Sequence, residues 1–413
     1  MIRRVGQLAV RAWRRLDVRV LAMATLALIG SAVAPLLAGL IPEFLTDRFD
    51  RDAVLPVLDI LASSMLAVTT FSLGVMVSAL HAASGQATPR AFRILVQDPT
   101  TQNVLGTFVG AFLFSLTAIV MFRASFYSPE SAVVIAALTG VTIATIILAI
   151  LRWIGHLGRL GSMDHTLSMV EEAARGALAE VARAPGLGAV ISSAPPPTTA
   201  APVRSDRGGY VTGLSLETLN TAAEEADATI WLAVRPGDFV VAGAVLAHTN
   251  GDADALEPSV CEAVLIGAEG DQDQDPLFGL MVMAEIGARA LSPGVNDPGT
   301  AIDVTLRQSR LLWDHARDVR SSTPEVWAPR LRLEPLTPDT MMNAAFDVVI
   351  RDGADRIEVM DVILRELARL SEAEDPAIAH AAADKRAYAA DHARAGIDHT
   401  ADRDRLEARI EGG

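Results

Sequence analysis

Cysteine is nearly absent, with Cys261 the single one in 413 residues. One thiol cannot close an internal disulfide, and it excludes zinc or iron–sulfur sites built on several cysteines. Lysine is equally scarce, Lys385 standing alone among 35 Lys and Arg. Chemistry that needs a lysine before position 385 is thereby excluded. Also missing, in any fitting context, are the HExxH, GxSxG, P-loop and Rossmann fingerprints. Carboxylates are abundant but scattered, whereas general acid–base catalysis needs positioned groups. The chain does not read as an enzyme, and no catalytic residue, metal or cofactor is expected.

What is present is uneven. Hydrophobic residues make up 51% of a chain whose net charge is −15, too apolar a composition for a disordered protein. Residues 1–160 hold 13 Arg against 8 Asp and Glu, while the remainder holds 22 Lys and Arg against 42. A greasy, slightly basic half is joined to a polar, acidic one. The acidic half is a poor surface for phosphate backbones, so no nucleic-acid partner is expected.

Four uncharged stretches are long enough to cross a bilayer: Val20–Ile41, Ile60–Leu80, Val104–Phe122 and Ala132–Leu151. A hydrocarbon core of about 30 Å needs roughly 20 apolar residues as a helix. The first is too long for a signal-peptide core and lacks a clear small-residue exit before Glu43, so it reads as an anchor. The lipid bilayer is the first expected partner. Arginine sets the orientation: Arg3, Arg4, Arg11, Arg14, Arg15 and Arg19 precede the first span. Arg90 and Arg93 lie between the second and third, and Arg152 and Arg159 follow the fourth. The other two connections lack a basic excess. By the positive-inside rule both termini and the acidic half are cytoplasmic, in a multi-pass protein of the bacterial inner membrane.

The second span differs from the others. Ser63, Ala67, Thr70, Gly74, Ser78 and His81 fall within a narrow arc at helical spacing. Small residues can mean close helix packing, with Ser and Thr bonding across helices. They can also line a wetted pathway ending at His81. Four spans hardly enclose a pathway alone, so the second alternative requires a homo-oligomer.

Beyond the membrane the period changes. Met163–Arg183 reads as a helix, and Ser192–Val203, with four prolines among Ser, Thr and Ala, reads as a solvated linker. Tyr210–Thr212, Ile230–Val234 and Phe239–Val241 read as strands and Leu214–Ala226 as a helix. Arg235 to Ala247 has the turn, strand, glycine turn and strand of a barrel-sandwich half-motif. Biotinyl and lipoyl carriers share that motif but need a lysine, so a structural β-module is expected. The alternating aspartates from Asp271 fail as a calcium loop, because positions six and twelve hold Pro276 and Val282. Asp275 and Pro276 instead suit the cap and first residue of a helix over Leu277–Ala290.

The same grammar recurs at Ser292-Pro293-Gly294-Val295-Asn296-Asp297-Pro298. Asn296 or Asp297 caps the next helix. The loop reads as a cap-rich turn, or as an anion site at an exposed helix terminus. The candidate ligand residues are Ser292, Gly294, Asn296, Asp297 and Arg289, with Glu285 and Asp303 nearby. Two further helices follow, Met341–Asp352 and Arg356–Arg369, and the Ala-rich charged tail from Ser371 reads as a solvated or self-associating helix.

The expected fold class is a membrane α-helical domain of four transmembrane helices plus a cytoplasmic α+β region with a small β-module. Its domains are a transmembrane unit over 1–160, a membrane-proximal helix over 161–191 and a Pro-rich linker over 192–206. A β-rich module over 207–260, a helical domain over 261–370 and the tail over 371–413 complete it.

Several strings together resemble a known group. They include Thr88-Pro89-Arg90, Asp98-Pro99-Thr100-Thr101-Gln102-Asn103, Arg235-Pro236-Gly237-Asp238 and Gln274-Asp275-Pro276-Leu277-Phe278-Gly279. With Ser292–Pro298 as the most specific string, the chain from about Arg15 to Leu370 resembles a family of bacterial predicted membrane proteins. That family is catalogued as domain of unknown function twenty-two fifty-four. The resemblance implies the architecture and supplies no mechanism. The expected function is an oligomeric channel or transporter-like protein with an acidic regulatory domain. The alternative is a membrane-anchored scaffold or sensor whose cytoplasmic half binds a protein partner or ligand.

Overall fold

The computed structural model describes residues 16–37, 51–86, 88–96, 98–270, 272 and 274–411. The chain divides into two compact units, Met1–Thr166 and Leu167–Gly413.

The first unit is helical. It comprises α1 (Leu16–Leu37), α2 (Arg51–Gln86), the short α3 (Pro89–Val96), α4 (Pro99–Arg123) and α5 (Pro129–Leu157), and it closes on the first turn of α6 (Met163–Arg183). Proline starts three of these helices. The missing N–H costs nothing at the first helical position, and Asp98 and Ser128 cap α4 and α5 just before it. Among the described residues three helices are long and apolar enough to cross a membrane: Arg51–His81, Pro99–Arg123 and Pro129–Leu157. They contain the second, third and fourth expected spans. Of the first expected span, α1 covers the part up to Leu37, and residues 38–41 lie outside the described residues, as do Arg3, Arg4, Arg11, Arg14 and Arg15. Pro35 lies within α1.

α4 is the hub, with α1, α2 and α5 packed around it. It buries Phe108, Ala111, Phe114 and Ala118, while Val54, Leu58, Leu61 and Met65 form the inward face of α2. Large apolar side chains on the outer faces, including Leu66, Phe71, Val120, Ile147 and Ile154, are exposed. Apolar residues on both sides of a helix suit a lipid solvent rather than water.

The second unit is α+β. A five-stranded sheet has the order β1-β8-β4-β6-β2, built from Ala189–Ile191, Ala328–Leu333, Ile230–Leu232, Val245–Thr249 and Ala201–Arg204. A three-stranded sheet has the order β5-β3-β7, from Phe239–Val240, Gly209–Leu214 and Val264–Gly267. With α7 (Leu216–Glu225) and α8 (Ala253–Ala263) they enclose a core of Val211, Leu219, Ile230, Leu246, Val260 and Leu331. The helices α9 (Phe278–Leu291), α10 (Pro298–Ser321), α11 (Pro338–Gly353), α12 (Ile357–Leu370), α13 (Pro376–Gly396) and α14 (Thr400–Glu411) pack on one another.

Four expectations are corrected here. The stretch read as linker contributes β2, whose Pro202 is tolerated because β2 is an edge strand with no second neighbour among the described residues. The sheets recruit β7 and β8 from beyond residue 260, since long-range pairing leaves no local signal. The barrel-sandwich half-motif is split: Phe239–Val240 pairs with β3, whereas Val245–Thr249 pairs with β2 and β4. The tail is not a free solvated helix, because Ile378, Ala382, Ala389 and Ala393 of α13 are buried. Alanine gives α13 a thin face that approaches α11 and α12 closely.

Candidate functional site

The helical period sorts α2 into two faces. Val54, Leu58, Leu61, Met65 and Ser72 recur at three and four residues and are buried. At about 100° per residue the stripe of Ser63, Thr70, Gly74, Ser78 and His81 falls on the opposite side, and all five residues are exposed. A Cβ added at Gly74 meets nothing within 4 Å. Among the described residues the stripe thus packs on no other helix of the chain. The Ser63 hydroxyl donates to the Asp59 carbonyl at 2.9 Å, and Thr70 donates to the Leu66 carbonyl at 3.0 Å. Each hydroxyl oxygen keeps acceptor capacity facing outward. α2 begins at Arg51, nine residues before the expected span, and this adds Asp59 to the stripe one turn before Ser63. A carboxylate on the outer face of a membrane-length helix is a functional signal by default. The expected span began at Ile60 and so missed it.

A second cluster went unread in the sequence. Asp98 caps α4: it accepts the backbone N–H of Thr100 at 3.2 Å and of Thr101 at 2.9 Å, and the Thr101 hydroxyl. His156, in the last turn of α5, places Nε2 2.6 Å from the Asp98 carboxylate and 3.3 Å from the Thr101 hydroxyl. Asp98 and His156 are both buried. His165, in the first turn of α6, sets its ring edge-on to that of His156 with centroids 5.3 Å apart. Its backbone N–H donates to the Ser162 hydroxyl at 3.2 Å. Gly161, at φ +86°, makes the turn before it against the carbonyl of Ala79, two residues from His81. The cluster thus sits at the His81 end of the stripe.

Burial opposes the charge on Asp98, yet hydrogen bonds from His156 and Thr101 outweigh it and lower its pKa to about 2. Burial, helped by the positive field of His156, lowers the pKa of His165. A carboxylate held ionised beside two imidazoles can bind a cation or relay a proton. In the sequence Asp98 appears only within the string Asp98-Pro99-Thr100-Thr101-Gln102-Asn103, and His156 and His165 lie 58 and 67 residues further on. No local pattern links them.

The candidate ligand loop is taken up structurally. Asp297 is the cap of α10, accepting the Thr300 N–H at 3.1 Å and the Thr300 hydroxyl at 2.6 Å. Those bonds from Thr300 lower its pKa. Asn296 has a positive φ of 51° and accepts from Arg356 at 2.8 Å, while Ser292 donates to the Arg289 carbonyl at 2.7 Å. Gly294 and Arg289 are exposed. Asp303 pairs with Arg307 at 2.8 Å. The geometry is that of a capped turn stapled by Arg356. Asp275, expected as a cap, accepts the Leu277 N–H at 2.9 Å, and the helix begins later, at Phe278. Asp271 and Asp273 lie outside the described residues.

A family model described as a predicted membrane protein, DUF2254, matches residues 13–369. An uncharacterized protein of Mycobacterium tuberculosis and one of Mycobacterium bovis are each 28% identical over 295 residues, which cover 66% of this chain and 56% of theirs. The match thus spans little more than half the length of those relatives. No solved structure matches the chain.

Proposed function

We propose, from the premise that the chain belongs to the DUF2254 family of predicted membrane proteins, that it forms an oligomeric channel or transporter-like assembly. In this reading α2 of each copy turns its polar stripe toward a shared pathway. The observation that carries it is the exposure of Asp59, Ser63, Thr70, Ser78 and His81 on the face of α2 opposite its buried one. Hydroxyls and a carboxylate turned toward lipid are costly, and a water-filled axis between copies removes that cost. Four spans per chain, α1 included, are taken to cross the bacterial inner membrane with both termini in the cytoplasm. The acidic second half then draws cations toward the inner mouth, an effect that salt screens. No enzymatic activity is assigned.

The test is flux from the purified chain in liposomes, across monovalent and divalent cations, protons and voltage. Flux that falls at least 10-fold in Thr70→Leu and Asp59→Asn is the expected result. Absence of flux under every condition sinks the proposal and leaves the anchored scaffold, which binding by the second half under an unrelated membrane anchor would favour.

A further inference from the structure

The capping of α4 accounts for Asp98 alone; it does not explain why two histidines from other elements converge on it. We propose that Asp98, His156 and His165 bind one divalent transition-metal ion of the zinc class. Each offers one ligand atom, and the three atoms lie within 4.8 Å of one another. Two imidazole nitrogens and one carboxylate oxygen suit zinc and its borderline neighbours, whereas calcium and magnesium take oxygen ligands. A tetrahedral zinc with bonds near 2.0–2.1 Å holds its ligand atoms about 3.4 Å apart. Closure therefore asks the farthest pair to approach by up to about 1.4 Å while His156 Nε2 and Asp98, 2.6 Å apart, open by about 0.8 Å.

The ligands are already oriented. Asp98 is fixed by two backbone N–H groups of α4 and by the Thr101 hydroxyl, the kind of outer partner that metal carboxylates carry. His156 is flanked by the Trp153 ring at 5.9 Å. His165 is steadied through the Ser162 hydroxyl on its backbone N–H. The contact of 2.6 Å between His156 Nε2 and Asp98 is the hydrogen bond that two metal–ligand bonds replace on binding. With three protein ligands the ion keeps a fourth position for water or a small ligand, the mark of a site that is more than structural. It clasps the start of α4, the end of α5 and the start of α6. This inference stands whether or not flux is found.

The whole chain, purified in detergent and stripped with a chelator, is titrated with Co²⁺ and Zn²⁺, and the bound metal is counted by atomic emission. One ion per chain, the visible absorption of tetrahedral cobalt and no displacement by excess Mg²⁺ or Ca²⁺ are expected. His165→Gln leaves the Asp98–His156 pair in place, so it is the cleaner variant. It weakens Co²⁺ binding about 100-fold or more, because loss of an outer partner alone costs roughly 10–100-fold. Substituting His380 and His399, whose carboxylate pairs are on the surface, leaves binding unchanged. Absence of a stoichiometric ion overturns the proposal. So does binding that survives His165→Gln in a chain of unaltered helical content and elution volume, since Asp98 and His156 are then a plain hydrogen-bonded pair.

Discussion

Leu66, Phe71, Val120, Ile147, Leu148 and Ile154 face outward from the first unit, whereas the second turns fewer large apolar side chains outward and buries Glu171, Asp361 and Glu366. Each of those carboxylates is neutralised. Glu171 meets Arg175 at 2.9 Å, Arg307 at 3.0 Å and also Arg310. Glu366 pairs with Arg365 and Arg369, and Asp361 with Arg405 and Arg409. Lys385, the lone lysine, lies on Asp347 and Asn343. The first unit has its own buried polar contact, Asp98 with His156. The difference is one of solvent. In lipid a helix gains nothing by hiding leucine, so its inward face is chosen by fit; in water leucine goes inside and charges are buried only in company.

The comparison can be broken at three places. The largest effect is expected at Glu171. Glu171→Gln takes one carboxylate from the nearly buried Arg307, which keeps Asp303 at 2.8 Å, and lowers the stability of the second unit by about 3 kcal/mol, as loss of one member of a buried pair does. Denaturant unfolding of the detergent-solubilised chain, followed by hydrogen exchange of α6 and α10, measures it. A loss under about 1 kcal/mol would mean that water reaches the network and the contrast is overstated.

Glycine gives the next test. A Cβ at Gly279 would lie 2.6 Å from the Ala174 Cβ, where α9 crosses α6, whereas one at Gly74 meets nothing. Gly279→Val should cost about 2 kcal/mol by overpacking. Gly74→Val should leave the thermal midpoint of the detergent-dispersed chain nearly unchanged, within about 0.5 kcal/mol, yet weaken oligomers and flux if α2 lines a shared axis. Equal losses at both positions would show that α2 is covered within one chain.

Acid supplies the smallest. Burial opposes the charge on Asp361, but hydrogen bonds and charge from Arg409 and Arg405 outweigh it and keep its pKa below the ordinary range. A carboxylate lowered in the folded state stabilises fully above its unfolded pKa of about 4, and that contribution is lost as pH falls through the lower folded value. Protection of α14 against hydrogen exchange should therefore decline as pH falls below about 4, and Asp361→Asn should show the weakened state at neutral pH. Unchanged protection in both would detach Asp361 from the docking of α14.

Legibility followed the range of the interaction. Proline at helix starts, as in Asp98-Pro99, Ser128-Pro129, Asp297-Pro298 and Asp375-Pro376, is a local signal, and those helices begin there. The three membrane-length helices were legible from apolar runs alone. The pairing of β1 with β8, 139 residues apart from Ala189 to Ala328, leaves no such trace. At the candidate site the stripe of α2 could be read by counting, but whether it faced inward could not. The metal-like cluster was invisible, because a cap, a helix end and a helix start look ordinary one at a time.

By itself, then, the sequence determined the solvent of each half, the helices that begin at a capped proline and the polar line along α2. These depend on side chains within one or two turns of each other and on composition. Tertiary structure alone decided which face of α2 packs on α4, which strands share a sheet, and that Asp98, His156 and His165 meet. Each of those depends on a close approach between distant segments, and packing sets it only once the whole unit is folded.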